Sequence, residues 1–299
     1  MKKNDLYFLP SKTFIVGEYA ALKKGPSLIL CTQPYFCLHV TENTNLQAAS
    51  LIGIPPNSPA GKLIKAYPDF YRRFQLKFDD PHQNIGGFGA SSAQFLSLLQ
   101  LKLQLKKINQ EKITEVLRIY RQVGWDGCGF PPSGADVIAQ WVGNICYFNP
   151  KNNSISAYLW KFTDIEFCLI HTGNKINTYE HLKSLNDFSI DEFVPLVELA
   201  KKSIQDSDSK NFIDAINEYA DVLNKHHFVC TETQLLLDKI RKITGVMACK
   251  GCGTLGSDVI LVILDRSQKN HFVQWASQQK LNVITIGKKL GTGLIKKTR

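Results

Sequence analysis

Apolar residues recur along the chain at both strand and helix spacing, and turns rich in glycine, proline and asparagine separate the runs. In the first half, the predicted strands are residues 6–9, 13–16, 27–31, 35–40, 75–78 and 145–148. The predicted helices are about 61–74, which Pro68 interrupts, 91–107 and 110–123. A polar turn at 149–153 indicates a domain boundary, which gives domains of residues 1–155 and 156–299.

The second half has its own order of elements and no sequence repeat. Its predicted strands are residues 167–170, 259–264 and 282–286. Its predicted helices are about 190–205, 210–225, 231–243 and 268–279. No apolar run approaches the roughly 18 residues that span a membrane, and the run at 6–9 is too short for a signal peptide. We therefore expect a cytoplasmic protein with no membrane partner.

Residues 86–93 combine three glycines within four residues with two serines, and an apolar run at helical spacing follows. A glycine loop that leads into a helix start presents several backbone N–H groups to one point, with the helix dipole behind them. The pattern is therefore typical of a phosphate-binding loop. Ser91 and Ser92 would add hydroxyls that can bind a phosphate oxygen or Mg²⁺. The alternative is a glycine turn whose serines cap the helix.

Charged residues stand at the ends of several apolar runs. Lys12 precedes the strand at 13–16 and could lie near a phosphate, with Glu18 and Tyr19 lining a pocket. Asp136 begins an apolar helical segment, where the helix dipole favours its anionic form and suits it to act as a base or an orienting group. The alternatives remain open at this point: a solvent-exposed lysine, a solvated glutamate and a helix-capping aspartate.

Composition narrows the class of partner. The 299 residues carry 36 Lys and Arg against 26 Asp and Glu, a formal net charge of +10. This charge favours an anionic ligand such as a nucleotide or an acidic metabolite. No zinc-finger spacing, basic-zipper heptad or RNA-recognition motif is found, so no specific nucleic-acid partner is expected. The eight cysteines are scattered, which disfavours a disulfide framework, and the CxxC at 249–252 lacks the second pair of a zinc site.

Residues 251–256 match the dinucleotide-binding pattern G-x-G-x-x-G. That pattern needs a helix after its glycines, so that the pyrophosphate meets the helix N-terminus. The run that follows, residues 259–264, is apolar and rich in β-branched residues, and it predicts a strand. The context therefore disfavours a dehydrogenase, and the absence of G-x-x-x-x-G-K-[ST] from the sequence excludes a P-loop kinase.

Four motifs in order resemble those of the GHMP kinases, named for galacto-, homoserine, mevalonate and phosphomevalonate kinases. Residues 10–22 resemble P-G-K-x-x-x-x-G-E-[HY]-A-V-L, and residues 87–93 resemble G-L-G-S-S-A-A. Residues 132–136 match the P-S-G-x-D that carries the family's catalytic aspartate, and residues 250–258 resemble K-x-x-G-A-G-G-G-D. Together the motifs span nearly the whole chain.

The resemblance implies an α+β fold of two domains, the first ribosomal-protein-S5-like and the second a ferredoxin-like α/β sandwich. It implies catalytic roles for Lys12 and Asp136, and Mg²⁺ binding by Ser91. The residues that would hold ATP are Gly87, Gly89, Ala90, Ser91 and Ser92. Those that would contact the acceptor are Glu18, Tyr19, Ser133, Lys250, Gly253 and Asp258. The partner is a small anionic metabolite, and the chain could act as a monomer or a homodimer.

The sequence also departs from the family pattern. Ser11 replaces a glycine, Ala90 a serine, and Leu255 and Ser257 glycines of the last motif. Trp125, with Asp126 beside it, stands where mevalonate kinases have a magnesium-binding glutamate. The motifs favour phosphomevalonate as acceptor, with mevalonate as the alternative. A sugar or homoserine kinase and a catalytically altered binding protein are further alternatives.

Overall fold

The computed structural model of the protein describes residues 4–43, 50–83, 85–105, 108–173, 185, 187–253 and 256–298. Within these ranges, seven strands form one sheet: β1 Asn4–Val16, β2 Ser27–Glu42, β3 Ser50–Ile52, β4 Phe74–Asp79, β5 Ile145–Asn149, β6 Ser154–Tyr158 and β11 Ile295–Thr298. The order is β11-β1-β2-β4-β3. In addition, β5 pairs with β2, and β6 pairs with β5. The β3–β4 ladder is parallel, and the other ladders of this sheet are antiparallel.

Two of these strands are longer than the sequence pattern predicts. The pattern ends the first strand at Pro10 and breaks the second before Pro34, whereas β1 and β2 each run through their proline. The prediction of separate strands was wrong because the ladder shifts register between Pro10 and Ser11, and this irregularity accommodates a residue that has no N–H to donate. Lys12 consequently lies within a continuous strand instead of at its end.

The helices of the first half are α1 Glu18–Leu22, α2 Pro59–Ala66, α3 Pro68–Tyr71, α4 Ala90–Leu103, α5 Gln110–Gly124 and α6 Ala135–Val142. The central helix is α4, in which every residue from Ser92 to Leu101 is buried. A helix that is surrounded by protein cannot move along its axis without disrupting the packing around it. Its N-terminus is therefore a fixed point around which a site can form.

The second sheet, counted over the described residues, has four antiparallel strands in the order β10-β7-β9-β8. Its strands are β7 Ile165–His171, β8 Val246–Cys252, β9 Val259–Asp265 and β10 Asn282–Gly287. Its helices are α7 Phe193–Asp206, α8 Ser209–Lys225, α9 Thr231–Ile240 and α10 Lys269–Gln278. Alternate residues of β9 face two different hydrophobic clusters, one of which includes side chains of α9 and α10. Burial on both faces explains why residues 259–264 are apolar without interruption.

The G-x-G-x-x-G segment joins β8 to β9, which confirms that a strand and not a helix follows it. A Cβ on Gly251 would lie 2.5 Å from the carbonyl oxygen of Gly256, so the glycine is required by the close approach of the two arms. All eight cysteines are free thiols. No helix among the described residues is long and apolar enough to cross a membrane.

The two sheets share one large hydrophobic core, which includes Leu28 of the first sheet and Phe167 of the second. The first sheet also draws on distant parts of the sequence, because β6 extends past residue 155 and the final strand, β11, pairs with β1. Strands β3, β6, β8 and β11 were not predicted from the sequence. The division into domains 1–155 and 156–299 stays a prediction.

Candidate active site

The glycine loop leads directly into the buried helix α4. Gly87 and Gly89 have φ angles of +78° and +88°, a left-handed conformation that favours glycine. The N–H of Ala93 donates to the Gly89 carbonyl at 3.0 Å and closes the first helical turn. The N–H groups of Ala90, Ser91 and Ser92 precede that bond, so none has an acceptor within the helix. The loop thus presents three amide donors and the positive end of the helix dipole at one point, as a phosphate site requires.

The two loop serines differ in what they can contact. The Ser92 hydroxyl is buried and donates to the Gly89 carbonyl at 3.0 Å, so it holds the loop. Ser91 is exposed at the same helix start. Ser91 is therefore the serine whose hydroxyl can reach a phosphate oxygen or a metal ion, and Ser92 supports the loop from beneath.

Lys12 lies against the loop. Its backbone N–H donates to the Phe88 carbonyl at 2.9 Å. A Cβ on Gly89 would lie 2.7 Å from Lys12 Cγ and 3.0 Å from its Cε, so the aliphatic stem of the lysine crosses the glycine. The absence of a side chain at Gly89 is what allows Lys12 to pass next to the helix N-terminus.

Helix α6 is tied to the same loop by Gln140, which the sequence analysis did not identify. The fully buried Gln140 amide donates to the Pro10 carbonyl at 2.8 Å and to the Gly89 carbonyl at 3.1 Å. Asp136 precedes it by one helical turn on the same face and is partly exposed. Asp136 is therefore carried by a helix that is bound to the glycine loop, and its approach to Lys12 stays a prediction. The sequence feature that could have indicated the role of Gln140 is an uncharged glutamine within an otherwise apolar helical segment.

The carboxylate of Asp136 also lies near helix α5. Burial raises the pKa of the Tyr120 phenol well above its usual value, and the negative charge of Asp136 raises that pKa further. Gly134, which precedes α6, packs so closely on α5 that a Cβ there would lie 2.4 Å from Leu117 Cδ2. The start of α6 is thus fixed against α5 as well as against the glycine loop.

The last motif meets the glycine loop from the second sheet. A Cβ on Gly87 would lie 2.7 Å from Asp258 Cβ, and one on Gly253 would lie 3.0 Å from Asp258 Oδ2. Asp258 is buried between these two glycines. The structure therefore brings Gly87, Gly253 and Asp258 together, while Thr254 and Leu255 lie outside the described residues.

Three residues predicted to contact the acceptor are buried between the two sheets. Lys250 Nζ donates to Glu18 Oε1 at 2.6 Å, and the two side chains are 0% and 8% exposed. Burial alone would lower the pKa of the Lys250 ammonium, but the neighbouring Cys252 and Glu18 raise this pKa above its ordinary value. The Tyr19 ring stacks on Phe228 with centroids 4.0 Å apart. These contacts join α1 to the second sheet, and a direct contact with substrate stays a prediction for all three residues.

A buried histidine links two positions at which the sequence departs from the family pattern. The Ser11 hydroxyl donates to the Pro34 carbonyl at 2.7 Å and lies 2.6 Å from His82 Nε2. Because the only hydroxyl proton goes to the carbonyl, His82 Nε2 must donate to the serine oxygen. The imidazole also stacks on Phe88 at 4.2 Å, which stands where the pattern has leucine. His82 therefore supports the glycine loop from below.

Protonation of His82 is expected to destabilise the fold. Burial lowers the pKa of His82 below the ordinary value of 6.5; Asp80 opposes this shift, and His171 adds to it. The unfolded chain therefore binds the proton first as the pH falls, so the free energy of unfolding should fall below about pH 6.5 and level off once the folded histidine is protonated. Urea unfolding of wild type and His82→Gln across this range measures the effect, and the variant should lack this component. An equal dependence of the free energy of unfolding on pH in both proteins would contradict this prediction. His271→Gln is the control, because His271 is exposed.

The donor set fits a nucleotide phosphate with Mg²⁺. Mg²⁺ keeps several waters and takes few protein ligands beside the substrate phosphates, so the exposed Ser91 hydroxyl at the helix start would be one ligand on the protein side. Among the described residues, no group of three or more His, Cys, Asp or Glu side chains forms a metal cage. The Asp126 carboxylate accepts from the Cys128 N–H at 3.1 Å, and Trp125 Nε1 donates to the Cys128 carbonyl at 2.9 Å. Asp126 as a metal ligand therefore stays a prediction.

No protein-family model and no curated protein matches the chain. Solved structures do match it over nearly its whole length. Mevalonate kinase from Methanococcus jannaschii is 11% identical with a TM-score of 0.71, covering 95% of this chain and 98% of its own. Phosphomevalonate kinase from Streptococcus pneumoniae, in complex with phosphomevalonate and AMPPNP, is 12% identical with a TM-score of 0.72, covering 95% and 99%. Galactokinase from Lactococcus lactis, complexed with galactose, is 11% identical with a TM-score of 0.76, covering 98% and 95%.

At these identities the likeness shows the fold. The predicted α+β fold of the GHMP kinases is confirmed, and the structural neighbours include members of the mevalonate branch. The same fold also carries mevalonate diphosphate decarboxylase from Staphylococcus aureus, which is 14% identical with a TM-score of 0.68. The choice among these activities therefore depends on the residues of the site.

Proposed function

We propose that the protein is an ATP-dependent kinase that transfers a phosphoryl group to a small anionic acceptor. Phosphomevalonate is the favoured acceptor, and mevalonate is the alternative. The observation that carries this proposal is the meeting of three segments. Lys12 crosses Gly89, α4 presents its N-terminal amides, and Gln140 fixes the helix that carries Asp136 to the same loop. A phosphoryl-transfer site needs a cation, amide donors and a carboxylate in this arrangement.

Each residue of the site would have a separate role in the reaction. The amides of Ala90, Ser91 and Ser92 would bind phosphate oxygens of ATP, and the Lys12 ammonium would neutralise charge on the transferred group. Bound Mg²⁺, held by Ser91 and the phosphates, would supply further charge neutralisation. Asp136 would orient the acceptor oxygen or take its proton. If the acceptor is a phosphate, its oxygen is already ionised at neutral pH, and a modest base suffices.

A panel of acceptors tests the proposal. The protein is incubated with ATP, Mg²⁺ and, in turn, phosphomevalonate, mevalonate, homoserine and galactose, and ADP release is measured. Release with phosphomevalonate, or with mevalonate alone, supports the mevalonate-branch assignment. Release only with galactose or homoserine would overturn the acceptor and keep the kinase. Nucleotide binding without release on any acceptor would instead identify a binding protein built on the kinase fold.

A further inference from the structure

A cationic cavity lies beside the start of α6, and its three basic residues lie outside the sequence motifs. Its volume is about 570 Å³, and three segments enclose it: the end of α1, the exposed side of α5 and the loop at 131–133. Lys24, Arg118 and Arg121 line it, together with Ser133, and no acidic side chain lines it within the described residues. The cavity therefore combines a positive potential with partly apolar walls, which include Leu22 and Trp125, next to the proposed catalytic helix.

None of the three cations is neutralised within the part of the chain that the structure describes. Lys24, Arg118 and Arg121 form no ion pair there, although many other lysines and arginines do. Arg121 Nε is buried and has no hydrogen-bond partner among those residues. Arg121 Nε is enclosed by protein and does not itself face the cavity, so a ligand there would meet the other guanidinium nitrogens of the half-buried Arg121. Arg118 and Arg121 are three positions apart and share one helical face.

The cavity adjoins the start of α6, the helix that carries Asp136. Arg121 follows Tyr120, whose pKa is affected by the nearby Asp136 carboxylate. Ser133 lines the cavity, and its hydroxyl accepts from the Ala135 N–H at 3.3 Å at the start of α6. Pro132 packs against the end of α5, since a Cβ on Gly124 would lie 3.5 Å from Pro132 Cγ. An acceptor in the cavity would therefore extend past Ser133 towards Asp136.

We infer that this cavity binds the carboxylate of the acceptor, with Arg118, Arg121 and Lys24 as its cationic partners. The inference rests on the proposed function. In mevalonate and in phosphomevalonate the carboxylate is at one end of a short carbon chain, and the reacting hydroxyl or phosphate is at the other end. The same cavity therefore serves either acceptor, whereas a neutral sugar has no negative charge to pair with its three cations. The guanidinium fork matches a carboxylate in two parallel hydrogen bonds.

The test pairs enzyme variants with a matched change in the acceptor. Steady-state kinetics are measured for wild type, Arg118→Gln and Arg121→Gln with phosphomevalonate and mevalonate, and with the analogues in which a hydroxymethyl group replaces the carboxylate. Each variant should raise KM for the acid acceptor by about tenfold or more and leave KM for ATP and kcat near wild type. Variant and wild type should have the same KM for the neutral analogue. Arg121→Lys should recover part of the loss, since it keeps the charge without the fork.

The outcomes separate this inference from the proposed function. Arg72→Gln is the matched control, because Arg72 is exposed and pairs with Asp69 on the surface. Acceptor KM values in the variants that equal wild type, with active enzyme, would overturn the carboxylate site and leave the kinase intact. A KM increase of equal size for the acid and for its neutral analogue would also overturn the site. Wild type that turns over no acceptor would overturn the proposed function and this inference with it.

Discussion

Replacing Asp136 by Asn should lower kcat by about two orders of magnitude or more while ATP binds as in wild type. Asn has the size and shape of Asp, so it keeps the start of α6 but removes the negative charge. The helix itself stays in place because Gln140 holds it to the Pro10 and Gly89 carbonyls. In the proposed mechanism the lost charge is the one that orients the acceptor oxygen, whereas the nucleotide contacts belong to the glycine loop.

The Asp136 prediction needs binding and turnover measured on the same sample. Calorimetric titration with a non-hydrolysable ATP analogue gives the affinity, and ADP release at saturating acceptor gives kcat. Asp69→Asn is the control, because its side chain is 85% exposed and far along the chain from the site motifs. A variant that turns over at the rate of wild type would remove Asp136 from the mechanism. Loss of nucleotide binding would instead show that Asp136 supports the loop.

Replacing Lys250 by Met should destabilise the fold by about 3–5 kcal/mol. The change leaves the Glu18 carboxylate buried without its cation, and the penalty is the desolvation of an uncompensated charge. The pair is almost wholly excluded from water, with side chains 0% and 8% exposed. It also joins α1 to β8, so the contact between the two sheets weakens with it.

Urea unfolding followed by circular dichroism measures this change. Lys112→Met provides the control, since the Lys112–Glu115 pair is partly exposed to solvent and an exposed ion pair stabilises a fold only weakly. The double variant Glu18→Leu with Lys250→Met should recover much of the lost stability, because no unpaired charge remains. A cost for Lys250→Met as small as that of the control would show that the pair does not hold the sheets together.

Sequence patterns identified the elements where local signals were strong. The helix that begins at the glycine loop, the helix that begins near Asp136 and the strand at 259–264 are all present in the structure. The patterns failed where pairing across the sheet overrode a local breaker. The sequence pattern predicts strand ends at Pro10 and Pro34. Both residues lie within long strands, because β1 and β2 pair with each other on either side of the prolines. Short strands such as β3 and β11 exist only because a longer strand lies next to them.

The site, like the fold, was predictable from the sequence only where the signal is local. The motifs singled out Lys12, Ser91 and Asp136, but they did not indicate what holds these residues together. Gln140 and His82 act through contacts with residues distant in sequence, and such contacts leave no local pattern. Arg118 and Arg121 lie on the polar side of an amphipathic helix, where a charge ordinarily indicates solvent.

Transfer of the γ-phosphoryl group can be observed directly. Phosphorus NMR of the protein with ATP, Mg²⁺ and phosphomevalonate, or mevalonate, follows every phosphorus atom in the mixture. The account predicts that the ATP signals give way to ADP and to a new phosphorylated acceptor, a diphosphate in the first case, and that the Asp136→Asn protein leaves the spectrum unchanged over the same period. Conversion of ATP to ADP and inorganic phosphate with the acceptor unaltered, or product formation at the wild-type rate by Asp136→Asn, would contradict it.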